Sequence, residues 1–135
     1  MYADVVDLRA RLGSSIYSEI YSSDLDAEND LADAQAEIDG CLSRRYQVPV
    51  TALSVQSLLR GWTLTLCEER TYSRAAGSGY AEKLAGRVAQ VRKYLSDVMT
   101  GAFSLPGAEE NTSSGLISMT AGDEPIFTRE NLKGY

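Results

Sequence analysis

Histidine is absent from the 135 residues. Its absence removes Ser-His-Asp and Cys-His nucleophile systems, an imidazole general base and histidine-based metal sites. Cysteine is scarce. Cys41 and Cys67, 26 positions apart, are too few for a zinc site or a small secreted disulfide framework. They read as buried free thiols in a reducing compartment. Long apolar runs are missing as well, and nothing approaches the roughly 18 consecutive apolar residues of a membrane span. The opening MYADVVDLRARLG carries Asp4 and Asp7 where a signal peptide would be basic and then apolar. The expectation is a protein made in a cytosol-like setting, with no membrane partner. Positive charge is in short supply too: 13 basic residues face 19 acidic ones, a net charge of -6. Binding to DNA through bulk charge is not expected of such a chain.

What remains is 44% hydrophobic, enough for one compact domain and too little for two. Charge is unevenly placed. Residues 1–46 hold ten acids and four bases, residues 47–101 hold four acids and seven bases, and residues 102–135 hold five acids and two bases. This polarity suits a chain that meets copies of itself or a charged partner, although solvated helix faces give the same pattern.

Apolar spacing predicts an all-α body over residues 1–101, a small bundle of about four helices. The first covers residues 3–12, with Asp4 as cap, Asp7 in the first turn and Gly13 as stop. Ile16, Tyr17, Ile20 and Tyr21 suggest a further helical turn. The next helix carries Leu31, Ala34, Ile38, Cys41 and Leu42 on one face. Asp24, Asp26, Glu28 and Asp30 gather at its start, and Arg44 and Arg45 fall in its last turn, as the macrodipole favours. Pro49 breaks the chain. A helix over 55–75 and one over 80–99 follow, separated by Gly77-Ser78-Gly79 and ended by Gly101. A short Gly-containing connection makes them antiparallel neighbours through Leu59, Trp62, Leu66, Leu84, Val88, Val91 and Leu95. Residues 102–135 hold little apolar material, so this extended tail is expected outside the core. Short strands at 116–119 and 126–128 would need a partner's sheet edge.

The motifs with possible chemistry are weak. Asp24 to Asp30 resembles the start of a calcium loop, but Asn29 and Gln35 stand where Gly and a bidentate Glu are required. Gly77-Ser78-Gly79 lacks a third spaced Gly and a Walker lysine, and it follows a helix rather than a strand. No carboxylate pair sits in an apolar setting that would separate two pKa values. No catalytic residue, metal ligand or cofactor is assigned, and the chain is expected not to be an enzyme. Arg70, Arg74, Lys83, Arg87, Arg92 and Lys93, with Tyr72, Tyr80 and Tyr94 nearby, form a basic stretch no denser than an ordinary solvated face. Trp62 sits on an apolar face and reads as core.

Three stretches together carry a resemblance. They are Met1-Tyr2-Ala3-Asp4 running into Asp7-Leu8-Arg9 and Leu12-Gly13; residues 34–40 with Leu42, Arg45-Tyr46 and Pro49; and the terminal IFTRENLKGY, residues 126–135. Together they resemble the Mu-like family of small phage head–tail connector (adaptor, or neck) proteins. The resemblance implies a virion protein at the head–tail interface, synthesised in the bacterial host cytoplasm. It implies a ring of about twelve copies under the portal protein, closed by head-to-tail contacts. Its partners would be the portal, copies of itself, a downstream stopper or tail-completion protein, and genomic DNA passing non-specifically through the channel. Within such a ring, acidic Asp24, Asp30 and Asp33 are expected to face Arg70, Arg74 or Arg87 of a neighbour. Some acids would instead line the channel. The tail is expected to dock on the portal or a neighbouring subunit through Ile126, Phe127, Arg129, Leu132, Lys133 and Tyr135. Two other readings stay open: a small DNA-binding or regulatory protein, and a helical small-molecule-binding domain.

Overall fold

The computed structural model describes residues 1–75 and 80–111. Their regular elements are all helical: α1 Val5–Leu12, α2 Ser14–Ile20, α3 Asp24–Leu42, a 3-10 turn Leu53–Val55, α4 Gln56–Arg74 and α5 Tyr80–Thr100. The fold is all-α, as expected, with five α-helices rather than about four, because the Ser14–Ile20 segment forms a helix of its own. Gly77-Ser78-Gly79, both expected strands and all six tail docking residues lie outside the described residues.

Local chemistry sets the boundaries. Asp4 and Asp7 form a reciprocal capping box: the Asp7 N–H donates to Asp4 Oδ1 at 2.9 Å and the Asp4 N–H to Asp7 Oδ2 at 3.2 Å. Gly13, at φ 89°, turns the chain from α1 into α2, a conformation that a Cβ would oppose. Gly101, at φ 92°, ends α5. The helix α3 stops at Leu42, three residues earlier than the run to Arg45 suggested, and the chain leaves it through a tight turn to Tyr46.

Helices α3, α4 and α5 make an up-down-up bundle. Asp30 pairs with Arg74 and Asp33 with Arg70, so α3 and α4 run antiparallel. Trp62 stacks on Tyr94 while Arg87 reaches Glu68, so α4 and α5 are antiparallel too. The seven side chains expected between α4 and α5 are all buried. Yet α4 is covered on more than one side. Residues 62–68 are buried without interruption, because α1, with Leu8 and Leu12 buried, packs against both α3 and α4 in addition to the cover that α3 and α5 give.

The end of the bundle at the α3 C-terminus is tied together by residues distant in sequence. The Tyr2 hydroxyl donates to Asp39 on α3 at 2.6 Å and accepts from the Val50 N–H at 2.9 Å. Arg45 donates to the Val98 carbonyl in the last turn of α5 and to the Phe103 carbonyl, at 3.2 and 3.3 Å. It therefore caps α5, not the helix that precedes it, and satisfies carbonyls that the helix end leaves open.

Residues 103–111 correct the expected boundary at 101. Leu105 is 3% exposed and belongs to the core. Its N–H donates to the buried Tyr46 hydroxyl at 2.9 Å. Phe103 packs with Trp62 and Tyr94. The chain then pairs antiparallel with the loop after α3, the Gln47 N–H donating to the Glu109 carbonyl and the Asn111 N–H to the Arg45 carbonyl. One leucine, one phenylalanine and a few backbone hydrogen bonds anchor a segment whose average composition is polar. At Gly107, φ 82°, a Cβ would come within 2.8 Å of Ser54 Oγ, so the close approach of the two loops requires glycine there.

Candidate functional site

Two features of the described surface bear on function: the charged faces expected to join subunits, and the loop end of the bundle. On the charged faces, every residue assigned to a neighbour contact has a partner within its own chain. Asp24 accepts from the Tyr17 hydroxyl at 2.6 Å and from Arg9 at 3.3 Å. Asp33 meets Arg70 at 3.9 Å, and Arg87 meets Glu68 at 3.5 Å. Asp30 has the fullest set. Arg74 grips it with two hydrogen bonds, of 2.7 and 3.0 Å, and the Tyr21 hydroxyl adds a third at 2.7 Å. Tyr21 also touches Thr71 Oγ1 at 2.6 Å.

Asp30 is 6% exposed. Burial pushes its carboxyl up, but the hydrogen bonds from Arg74 and Tyr21 and the charge of Arg74 outweigh burial and hold it below the ordinary carboxylate value. It stays ionised and fixed. Asp24 and Asp30 point to separate partners rather than converging on one ion, and the described residues contain no cluster of three potential metal ligands. The buried Cys67 thiol is pushed up to about 12, mainly by burial and then by Asp30, which keeps it protonated at neutral pH.

Sequence spacing missed Glu68. It is 4% exposed and receives Arg11 from α1 at 3.0 Å and Arg87 from α5 at 3.5 Å on the same carboxylate oxygen. A single apolar stripe on α4 leaves Glu68 at its margin. Arginines from α1 and α5 enclose it, and no local signal announces their arrival. Together these pairs decide the surface electrostatics. Arg44 is the one arginine among the described residues without a salt bridge, whereas Glu19, Asp26, Glu28 and Glu109 have none. Among the described residues, eight of the nine arginines meet a carboxylate of the same subunit, and the unpaired carboxylates outnumber the one unpaired arginine.

The loop end is different in character. Val48 and Leu53 are exposed there, Leu53 at 91%. A cleft runs between the 47–52 loop and the 107–109 segment, lined by Val48, Pro49, Ala52, Gly107 and Glu109. Asn111, the last described residue before position 112, is fastened at this same end through its side-chain donor to the Ser43 carbonyl at 2.8 Å. The peptide before Pro49 is cis. Residues quoted above for the family resemblance meet here: the Tyr2 N–H donates to Gln35 Oε1, its hydroxyl to Asp39, and Arg45 and Tyr46 hold the returning chain.

The family model described as Bacteriophage Mu, Gp36 matches residues 2–120. No curated protein matches the chain. With most of its length covered, the chain belongs to the bacteriophage Mu Gp36 family, and it is a phage protein. None of its described helices is long and apolar enough to cross a membrane.

Proposed function

We propose that this member of the Mu Gp36 family is a head–tail connector, a structural virion protein that forms a ring beneath the portal and joins the DNA-filled capsid to the tail. The observation that carries the reading is family membership over residues 2–120. The electrostatics support it. A channel through which DNA passes is best lined by groups that do not hold phosphates, and eight of the nine arginines among the described residues are already engaged by carboxylates of the same subunit. The same pairing speaks against a DNA-binding regulator, which needs cations free to displace counterions from the backbone. In this reading the protein carries no catalytic role. Its partners are the portal, a ring of its own copies and a downstream tail-completion protein.

Asp24, Asp30, Asp33, Arg70, Arg74 and Arg87, the charges proposed for subunit contacts, each also have a partner within their own chain. The tail residues Ile126, Phe127, Arg129, Leu132, Lys133 and Tyr135 are the proposed docking group. Particles produced without this protein test the function directly. DNA-filled heads lacking tails, together with recovery of the protein on portal-bearing particles, are the expected result. Joined, infectious particles in its absence would overturn the proposal.

A further inference from the structure

The cleft at the loop end carries an inference of its own, resting on the ring reading above. Its walls are the 47–52 loop and the 107–109 segment, already joined by antiparallel backbone pairing at Tyr46 and Glu110. Val48 and Pro49 give it exposed apolar surface between Gln47 and Thr51, and the exposed Leu53 follows Ala52 in the chain. Glu109 lines the other side and Glu110 follows it in the chain, both exposed; Glu110 makes a 3.9 Å contact with Arg45. Exposed apolar side chains with one acid in the cleft wall and a second next to it in the chain fit a short extended peptide with apolar residues followed by bases.

The chain contains such a peptide. Ile126 and Phe127 are adjacent, and Arg129 and Lys133 follow them. We propose that the cleft of one subunit is the acceptor for residues 124–133 of a neighbouring copy, Ile126 and Phe127 covering Val48 and Leu53 while Arg129 and Lys133 meet Glu109 and Glu110. The length of chain beyond Asn111 permits it. Fourteen residues separate Asn111 from Ile126, and at about 3.3 Å per extended residue they reach about 45 Å, beyond the width of one small domain. Head-to-tail exchange also supplies what a closed ring requires, two different complementary patches on each subunit. In this arrangement an exposed apolar edge and an apolar terminal segment each satisfy the other.

The test uses the full chain with Leu53 replaced by photoreactive benzoylphenylalanine, prepared as two pools of light and heavy nitrogen and mixed equally before assembly. Sedimentation of the mixture, alone and with portal protein, records whether rings form. Illumination and peptide mass spectrometry then identify what residue 53 touches. The expected product joins residue 53 to the 122–135 peptide, with roughly half the pairs carrying one light and one heavy partner, as random head-to-tail pairing of equal pools requires. Glu109→Lys combined with Glu110→Lys should lower the yield of that product at least about fivefold, because both proposed charge contacts are replaced by repulsion. Rings that give only single-label pairs, or crosslink to other peptides, overturn the inference and leave the ring reading intact. A mixture that stays monomeric even with portal protein removes both.

Discussion

Tyr2 and Asp39 stand 37 positions apart, and their side chains meet at 2.6 Å, with the phenol oxygen also receiving the Val50 N–H. One hydroxyl thus joins the N-terminus, the last turns of α3 and the loop that forms the acceptor cleft. Tyr2→Phe keeps the ring and removes the oxygen. It leaves the Val50 N–H buried without its acceptor, so the expected loss is about 1–3 kcal/mol, read from urea denaturation. A loss within about 0.3 kcal/mol would show that water replaces the hydroxyl.

Asp30 and Asp33 provide a second test. If their role is to brace the subunit, charge reversal acts on stability before assembly. Asp30→Lys places a cation beside Arg74 in a site only 6% exposed, and the melting temperature of the monomer should fall by about 10 °C or more. Asp33→Lys, whose partner contact is long and exposed, should cost about 0–1 kcal/mol. Equal, small effects of both on the monomer would return these residues to the subunit interface.

Val91 is 6% exposed on α5 and faces the bundle. Val91→Ala should cost on the order of 2 kcal/mol through lost burial and the cavity left behind. A value below about 0.5 kcal/mol is typical of surface sites and would place it there.

Stability should plateau across neutral pH and fall at both ends. The Asp30 carboxyl is depressed in the fold, so its contribution is present above the unfolded value near 4 and is lost as pH falls through the folded one. The phenols of Tyr2 and Tyr21 are raised, chiefly by burial, and Tyr17 is pushed up to about 12 by burial and by Asp24. Raised phenols stabilise the fold fully below the unfolded value near 10, and that stability is lost as pH climbs past it. Urea midpoints across pH measure both flanks, and tyrosinate absorbance assigns the upper one. Ionisation of all eight tyrosines near pH 10 with the fold intact would contradict the upper flank.

Two truncations separate the anchored part of the C-terminal segment from the docking part. Removing residues 122–135 should leave the melting temperature of the body unchanged while portal attachment and infectious particles are lost. Removing 102–135 takes away Leu105, Phe103 and the carbonyl that Arg45 holds, and should destabilise the body by about 2–5 kcal/mol. Unfolding after the shorter cut, or normal assembly without residues 122–135, would refute the division.

The helices were legible because their signals are local. Apolar spacing of three and four, the Asp4 cap, and glycine at positions 13 and 101 each act within a turn or two of the chain. The family resemblance likewise rested on short stretches, although the structure reveals what several of them do: Tyr2, Gln35, Asp39, Arg45 and Tyr46 clasp one end of the bundle. Their meeting is set by tertiary packing. The same holds for the charges. A tally of acids and bases along the chain suggests complementary faces but does not tell that the antiparallel course of α3 and α4 sets Asp30 against Arg74 and Asp33 against Arg70 in one subunit. Glu68 is enclosed once α1 and α5 bring Arg11 and Arg87 to it, and as Leu105 enters the core its backbone N–H finds the Tyr46 hydroxyl. Periodicity determines which face of a helix is apolar. Which distant group satisfies a buried charge, hydroxyl or carbonyl depends on how the helices cross, because such a partner is selected by desolvation and geometry and leaves no spacing in the sequence.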